Sequence, residues 1–181
     1  MSLPHAILGI LRDRPMTGYD LKTRFFDRTI AHFWPADQAQ IYRTLDRMVT
    51  DGWVTDELER QESRPNRRVY HLTEVGKAEL LRWLGSDQAL AILREQFLIQ
   101  LFFAAPLPNT TIDALLAQQA TLHQEKLARY EAIPLPPLDQ LRDSREFALQ
   151  RLTLEWGLAL ERAYLDWCEL ARGIVAELPE E

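Results

Sequence analysis

The sequence lacks the features of several large classes of protein. It has one cysteine, Cys168, in 181 residues, which excludes an internal disulfide and favours a reducing cytosol. We expect that thiol to be buried and inert. The apolar stretch near the N-terminus ends at Arg12 after a few residues, too short for a signal-peptide core or a membrane span. The chain is therefore expected to be cytoplasmic, with no membrane partner.

Motifs of catalysis and metal binding are also missing. The four histidines include no pair at a metal-ligand spacing, and the patterns HExxH, CxxC, GxSxG and GxxxxGK do not occur. The seven glycines are scattered, so no glycine-rich loop is available to hold a phosphate. We expect a protein that is not an enzyme and has no catalytic residues, no metal site and no cofactor.

Acidic residues are unevenly distributed along the chain. The formal net charge is −6, which argues against polyanion binding by the chain as a whole. Residues 1–84, however, hold 13 Lys and Arg against 12 Asp and Glu, whereas residues 85–181 hold 8 against 15. Four arginines and one glutamate lie between Arg60 and Arg68. The average charge thus conceals a basic segment within a nearly neutral first half.

The first half has the pattern of three helices followed by a hairpin. Apolar spacing predicts a helix over Leu3–Leu11, and Thr17–Asp20 has the form of a capping box before a second helix. A similar cap at Asp37–Gln40 begins a third helix, which runs to about Asp51 and ends at Gly52.

Two alternating stretches, Trp53–Leu58 and Arg68–Leu72, flank the polar segment Arg60–Arg67. This arrangement predicts a β-hairpin with a long basic tip. A further helix is predicted from Thr73, and Gly85 marks the point where the composition turns acidic.

The second half has the pattern of helices alone. Apolar spacing predicts helices over Gln88–Ala105 and Thr110–Ile133, and a long helix from Leu138 to about Leu178 with a break near Gly157. The expected fold class is mainly α. An N-terminal winged helix-turn-helix with a small β-hairpin wing occupies residues 1–84, and an α-helical dimerisation and effector domain occupies residues 85–181.

The third predicted helix has a face suited to DNA. With Ile41, Leu45 and Met48 toward the core, the opposite face is small at its start and polar throughout, as a helix in a major groove requires. The alternative is an ordinary solvated face, but the hairpin arginines favour DNA because guanidinium groups on a wing meet phosphates. The candidate contacts on these two elements are Gln38, Gln40, Arg43, Arg47, Arg64, Arg67 and Arg68.

Five short segments, in this order, resemble a PadR-type transcriptional regulator. They fall within residues 3–84 and are Ala6–Leu11, Pro15–Leu21, Gln40–Leu45, Asp51–Val54 and Arg64–Thr73. The helical second half resembles the long-tailed subgroup of that family, which includes PadR proper and the virulence activators. Tyr42 matches the recognition-helix tyrosine of the family, often near phosphate, and joins the candidate DNA contacts.

The resemblance implies a set of partners. A homodimer with crossed or exchanged C-terminal helices would place two wings on a pseudo-palindromic operator in double-stranded DNA, and a small aromatic effector would release it. We therefore expect a sequence-specific DNA-binding regulator, and a repressor rather than an activator. The alternative is a winged-helix protein-interaction module that does not bind DNA. The sequence departs from the family at the cap of the third helix, where Asp37 sets an acid near the expected phosphates.

Large aromatic side chains in the last predicted helix indicate a dimer interface. Trp156, Tyr164 and Trp167 offer more apolar surface than two or three helices easily cover. Membrane association is disfavoured, because anionic lipid would require a basic polar side and this one is acidic. The acidic residues of that side are Glu155, Glu161, Asp166 and Glu169.

An effector cavity is predicted around the middle helix of the second half. Gln119, His123 and Tyr130 lie near the middle of one face, and Phe97 and Phe102 supply aromatic walls for a planar phenolic ligand. His123 would pair with a carboxylate of such a ligand. The alternative is a set of polar residues satisfied inside the dimer interface.

Overall fold

The computed structural model describes residues 2–59, 66–92, 94–141 and 144–179. The chain divides into two compact units, Met1–Leu90 and Ala91–Glu181. The expected fold class, mainly helical with a small antiparallel sheet in the first unit, is confirmed.

Helices and short strands alternate in the first unit. Their order is α1 (Leu3–Leu11), β1 (Met16–Thr17), α2 (Gly18–Leu21), a π-helical continuation of α2 (Lys22–Thr29), α3 (Gln38–Thr50), β2 (Val54–Glu59), β3 (Arg67–Leu72) and α4 (Glu74–Leu84). The strands pair antiparallel in the order β1-β3-β2. The predicted hairpin is therefore the larger part of a three-stranded sheet, and its β1 edge is too short for periodicity to reveal.

Side-chain caps begin the helices where the sequence predicted them. The Asp20 amide donates to the Thr17 hydroxyl oxygen at 3.0 Å, although that hydroxyl, and not the Thr17 amide, donates back to the Asp20 carboxylate at 2.8 Å. The box before α3 is complete. The Gln40 amide donates to the Asp37 carboxylate at 2.7 Å, and the Asp37 amide donates to the Gln40 side-chain oxygen at 3.0 Å. A cap of this kind stabilises a helix by about 1 kcal/mol.

The core of the first unit lies between α1, α3 and the sheet. The side chains of Ile41, Leu45 and Met48, predicted to face inward from α3, are buried there. Burial of one such side chain stabilises the fold by about 1.5–3 kcal/mol. The rotation of α3 is set by these three contacts, so its polar face is held outward.

The second unit is helical throughout its described elements. They are α5 (Gln96–Phe102), α6 (Asn109–Glu131), a 3₁₀ turn (Leu138–Gln140) and α7 (Arg145–Ala176). Helices α6 and α7 run antiparallel, since Arg172 pairs with Asp113 at 2.7 Å and Arg162 pairs with Glu131 at 3.1 Å. Cys168 is buried, as predicted.

Two helices of this unit begin later in the chain than predicted. The helix predicted over Gln88–Ala105 begins only at Gln96, because the Glu95 carboxylate caps it by accepting from the Phe97 amide at 3.3 Å. The helix predicted from Leu138 likewise begins later, at Arg145.

The break predicted near Gly157 is wrong, since α7 runs continuously through that residue. The Tyr130 ring of α6 packs directly on Gly157, where an added Cβ would lie 2.9 Å from the ring. The glycine thus allows the two helices to approach closely. The packing of the ring offsets the weakness of glycine in a helix interior.

Candidate functional site

The outward face of α3 carries two arginines. Arg43 and Arg47 are exposed there, together with Asp46. Arg47 lies 3.6 Å from the Asp51 carboxylate, one turn along the helix. Among the described residues, no carboxylate lies within ion-pair distance of Arg43. Arg43 is therefore the α3 cation that is most available to an external anion.

The two glutamines at the start of α3 differ in what they can still bind. Gln38 is exposed at the first position of the helix. The side-chain oxygen of Gln40 accepts from Asp37 within the capping box. Only the amide nitrogen of Gln40 is left to donate outward, so this residue presents a donor and not the two-sided amide that a bidentate base contact uses.

Tyr42 is half-buried and supported from behind by α2. A Cβ at Gly18 would lie 2.7 Å from the Tyr42 ring, so only glycine leaves room for it. The ring is thus fixed against the backbone at the first residue of α2. Its position on the flank of α3 depends on this contact between the two helices of the helix-turn-helix.

The wing arginine Arg67 is ion-paired to α2. Its Nη2 lies 2.9 Å from Oδ2 of Asp20, and Nε of Arg24 lies 3.3 Å from Oδ1 of the same carboxylate. Burial alone would raise the pKa of Asp20, but the Thr17 hydrogen bond and these two arginines together lower it below its ordinary value. Arg67 thus connects β3 to the N-terminus of α2.

The neighbouring wing arginine, Arg68, bridges two carboxylates. Its Nε donates to Asp56 on β2 at 2.7 Å, and its Nη1 donates to Asp46 on α3 at 2.6 Å. The guanidinium also lies 5.2 Å from the centre of the Tyr70 ring. Hydrogen bonds to Asp56 and then to Asp46 raise the pKa of Arg68 above its ordinary value. The predicted wing residues Arg60 and Arg64 lie outside the described residues.

In the second unit, His123 is held by a buried acid. Its Nδ1 lies 2.5 Å from Oε2 of Glu161, and the Lys126 ammonium lies 2.7 Å from Oε1 of the same carboxylate. Glu161 is 0 % exposed, so the prediction that it belongs to the polar side of the last helix is wrong. Burial disfavours the charge of Lys126, but the hydrogen bond to Glu161 raises its pKa overall. A single carboxylate therefore joins two α6 side chains to α7.

An aromatic row continues from this acid. The rings of His123 and Tyr164 stack at 3.6 Å, Tyr164 meets Trp167 edge-on at 5.2 Å, and Trp167 meets Phe97 edge-on at 6.2 Å. The Tyr164 hydroxyl is buried and has no hydrogen-bond partner among the described residues. Burial, with the nearby charge of Glu95, raises the pKa of Tyr164 to about 12.

The remaining predicted effector residues lie apart from this row. Phe102 is 81 % exposed and contacts Phe103, with ring centres 5.0 Å apart. Tyr130 is buried in a separate cluster with Leu127, Leu154 and Leu158. Gln119 is half-buried on α6. The structure thus brings His123 and Phe97 into one row through Tyr164 and Trp167, and leaves Phe102 outside it.

The three residues predicted at the dimer interface also differ in whether they belong to the aromatic row. Tyr164 and Trp167 are half-buried within the aromatic row of their own chain, whereas Trp156 is 63 % exposed. Trp156 lies in a row of exposed apolar side chains along α7. The other members of that row are Leu149, Leu152, Leu160, Leu170 and Ile174.

Sequence reasoning missed the carboxylates that hold these cations. No local pattern in the sequence links Asp46 on α3 to Arg68 on β3, 22 residues away. Glu161 carried a usable signal, because it lies three residues from both Leu158 and Tyr164 and so shares their side of α7. A charge on an apolar face is seldom buried without a partner.

None of the described helices combines the length and the apolar composition that a membrane span requires. Among the residues that the structure describes, no three His, Cys, Asp or Glu side chains are grouped in a way that would hold a metal ion.

Comparison with known families matches both halves of the chain. Residues 7–82 match the transcriptional regulator PadR-like family, and residues 93–175 match the virulence activator alpha C-terminal family. A probable transcriptional regulator of Mycobacterium tuberculosis is 46% identical over 85 residues, which cover 47% of this chain and 44% of that protein.

A second relative matches along nearly its whole length. The negative transcriptional regulator PadR of Bacillus subtilis is 30% identical over 172 residues, which cover 92% of this chain and 93% of that protein. Its crystal structure in complex with operator DNA superposes with a TM-score of 0.84, covering 97% of this chain and 99% of that one at 27% identity. Its complex with p-coumaric acid gives a TM-score of 0.81, covering 98% and 100% at 27% identity.

Proposed function

This chain belongs to the transcriptional regulator PadR-like family, and we propose that it is a dimeric, sequence-specific DNA-binding repressor released by a small aromatic compound. The observation that carries the proposal is the outward face of α3, where exposed Arg43 and Arg47 lie on a helix whose opposite side is locked into the core. The proposed activity is regulation in the cytoplasm and not catalysis.

The proposed DNA surface combines α3 with the base of the wing. We place α3 in the major groove, with Gln38 and Arg43 toward base edges or phosphates and Tyr42 on the flank. Arg68 joins the wing to α3 through Asp46, and Arg67 joins it to α2 through Asp20. The arrangement is supported by the likeness to B. subtilis PadR, which was crystallised with operator DNA.

Two copies of such a unit are needed for a pseudo-palindromic site. The exposed apolar row on α7 that contains Trp156 supplies the dimer contact in this proposal, because an exposed tryptophan flanked by leucines usually marks an interface. Tyr164 and Trp167 then act behind the interface, by packing α7 against α5 and α6.

The effector site is proposed at the aromatic row. His123 and Lys126 are half-buried, and each already contacts Glu161, which orients them. The Lys126 ammonium is a donor that suits the carboxylate of a planar acid, and the Tyr164 and Trp167 rings suit its aromatic part. Because Nδ1 of His123 faces the Glu161 carboxylate, Nε2 of the neutral ring accepts a hydrogen bond, as from a phenolic hydroxyl. B. subtilis PadR was crystallised with p-coumaric acid, an aromatic carboxylic acid, which supports this class of ligand.

DNA binding is tested with a duplex from the promoter of the gene itself, titrated at several salt concentrations. We expect tight binding that weakens with salt, with about 0.9 added to the log–log slope for each phosphate neutralised. Absence of binding at low salt, or a flat slope, would instead favour a protein-interaction module. Light scattering of the wild type and of Trp156→Glu tests the dimer, which the charged side chain is expected to disrupt.

The effector proposal is tested with p-coumaric acid as the probe. We expect it to quench tryptophan fluorescence and to weaken binding to the promoter duplex, because a ligand shifts an equilibrium only by binding one state more tightly. His123→Ala and Phe97→Ala should reduce both responses, whereas Phe102→Ala, on the exposed side of α5, should retain them. Equal responses in all three variants would show that the ligand binds elsewhere.

A further inference from the structure

An acid lies in the middle of the face that we assign to DNA. Asp46 is exposed on α3, three residues after Arg43 and one before Arg47. A carboxylate at that position repels phosphate and weakens the electrostatic attraction that supplies nearly all non-specific DNA binding. Asp46 therefore opposes the function that we assign to this face unless another group uses its charge.

The contacts of Asp46 connect it to the wing. Arg68 donates to Asp46 at 2.6 Å and to Asp56 at 2.7 Å through two different nitrogens, so one guanidinium joins α3 to β2. Of its five N–H donors, one on Nη1 and two on Nη2 are left for any further contact. Two carboxylates around one arginine leave a local net charge of −1. The positive charge of Arg68 on the wing is therefore more than neutralised by its two partners.

The strand register explains why Arg68 reaches both acids. Asp56 pairs with Tyr70 across the sheet, and Arg68 pairs with Leu58. Arg68 and Asp56 are therefore diagonal neighbours on one face of the hairpin. Arg67 immediately precedes Arg68 in β3, so its side chain points to the other face of the strand. There it pairs with Asp20. Each face of β3 is thus tied to a different helix.

We propose that Asp46 is a specificity-determining residue, which restrains Arg68 between α3 and the wing and so suppresses binding to non-cognate DNA. On the operator, the wing is already positioned, so the pairing of Arg68 with Asp46 costs little of the binding free energy. On non-cognate DNA, a free Arg68 would find a phosphate wherever the duplex offers one, and the restraint prevents this. The inference rests on the proposed DNA binding.

The test compares Asp46→Asn with the wild type on the promoter duplex and on a scrambled duplex of equal length. We expect affinity for the scrambled duplex to rise about tenfold and its salt slope to increase by about 0.9, one additional phosphate contact. Promoter affinity should change much less, so the ratio of the two affinities should fall. An unchanged ratio and slope in the folded variant would overturn the proposal.

Three further variants separate restraint from a simple change in charge. Asp13→Asn removes the same charge from an exposed position after α1 and should leave the ratio unchanged. In an Arg68→Gln background, Asp46→Asn should lose its effect on the scrambled duplex, and persistence of the full effect would contradict a role through Arg68. Asp56→Asn, which releases the other end of Arg68, should act in the same direction and substitutes if Asp46→Asn does not fold.

Failure of this inference is distinguishable from failure of the proposed function. A wild type that binds neither duplex at low salt would refute DNA binding itself. A wild type that prefers the promoter, with an Asp46→Asn variant showing the same preference, would refute only the role of Asp46.

Discussion

The ring of Tyr42 packs on the backbone of Gly18, so closely that a Cβ at residue 18 would lie 2.7 Å from it. This contact joins the first residue of α2 to the flank of α3. It explains why glycine stands inside the Thr17–Asp20 cap, where the hydroxyl of Thr17 and the carboxylate of Asp20 supply the capping contacts. The same residue thus begins one helix and positions a side chain on the next.

Gly18→Ala is expected to displace Tyr42 and to destabilise the protein by about 1–3 kcal/mol, the usual cost of overpacking. Urea denaturation measures the loss, and the affinity for the promoter duplex should fall with it. Gly9→Ala is the matched control, because nothing lies within 4 Å of a Cβ there. Equal stabilities for the two variants would show that the Tyr42 ring yields without cost.

Two glycines of α7 should respond in opposite directions to the same substitution. A Cβ at Gly157 would lie 2.9 Å from the Tyr130 ring, whereas one at Gly173 would meet nothing within 4 Å. Gly173→Ala should therefore stabilise the helix by about 0.5–1 kcal/mol, the difference in helix propensity. Gly157→Ala should destabilise the protein, because the ring must move away. Thermal denaturation of both variants measures the two changes in stability. Stabilisation by Gly157→Ala would contradict the close contact.

Acid should weaken the first unit through Glu79. Hydrogen bonds from Arg82 and then from His5 lower the pKa of Glu79 from about 4.5 to about 2. Since the folded pKa is depressed, the stabilisation is fully present above about pH 4.5 and is lost as the pH falls toward 2. The difference in urea midpoint between the wild type and Glu79→Gln should therefore shrink across that range. Glu74→Gln, at an exposed pair with Lys77, is the matched control for the loss of one carboxylate on the same helix.

Arg43 is expected to carry more of the DNA affinity than its neighbours on α3. Arg43→Ala should weaken binding to the promoter duplex and reduce the salt slope by about 0.9, because one phosphate contact is lost. A change in sequence preference would indicate a base contact in addition. Arg12→Ala removes an equal charge at the end of α1 and should have little effect. Similar losses from both variants would point to general electrostatics and not to a contact on α3.

Local sequence determined where helices α2 and α3 of the first unit begin. Thr17 and Asp37 cap amides only three residues away, so the residues concerned are visible in one short window of sequence. The inward side of α3 is equally local, since Ile41 and Leu45 are one turn apart. The five segments between Ala6 and Thr73 that resemble the family are also short and local. They were therefore enough to indicate the family.

Only the tertiary structure decided which charges are neutralised. Arg68 and Asp46 are 22 residues apart, and His123 and Glu161 are 38 apart, so no local pattern pairs them. The burial of Glu161 likewise depends on α6 lying against α7, where Lys126 and His123 offset the cost of removing its charge from water. Periodicity gives the face on which a side chain lies. The partner on that face is set by packing between elements, because an ion pair requires two groups within a few ångströms wherever they occur in the chain.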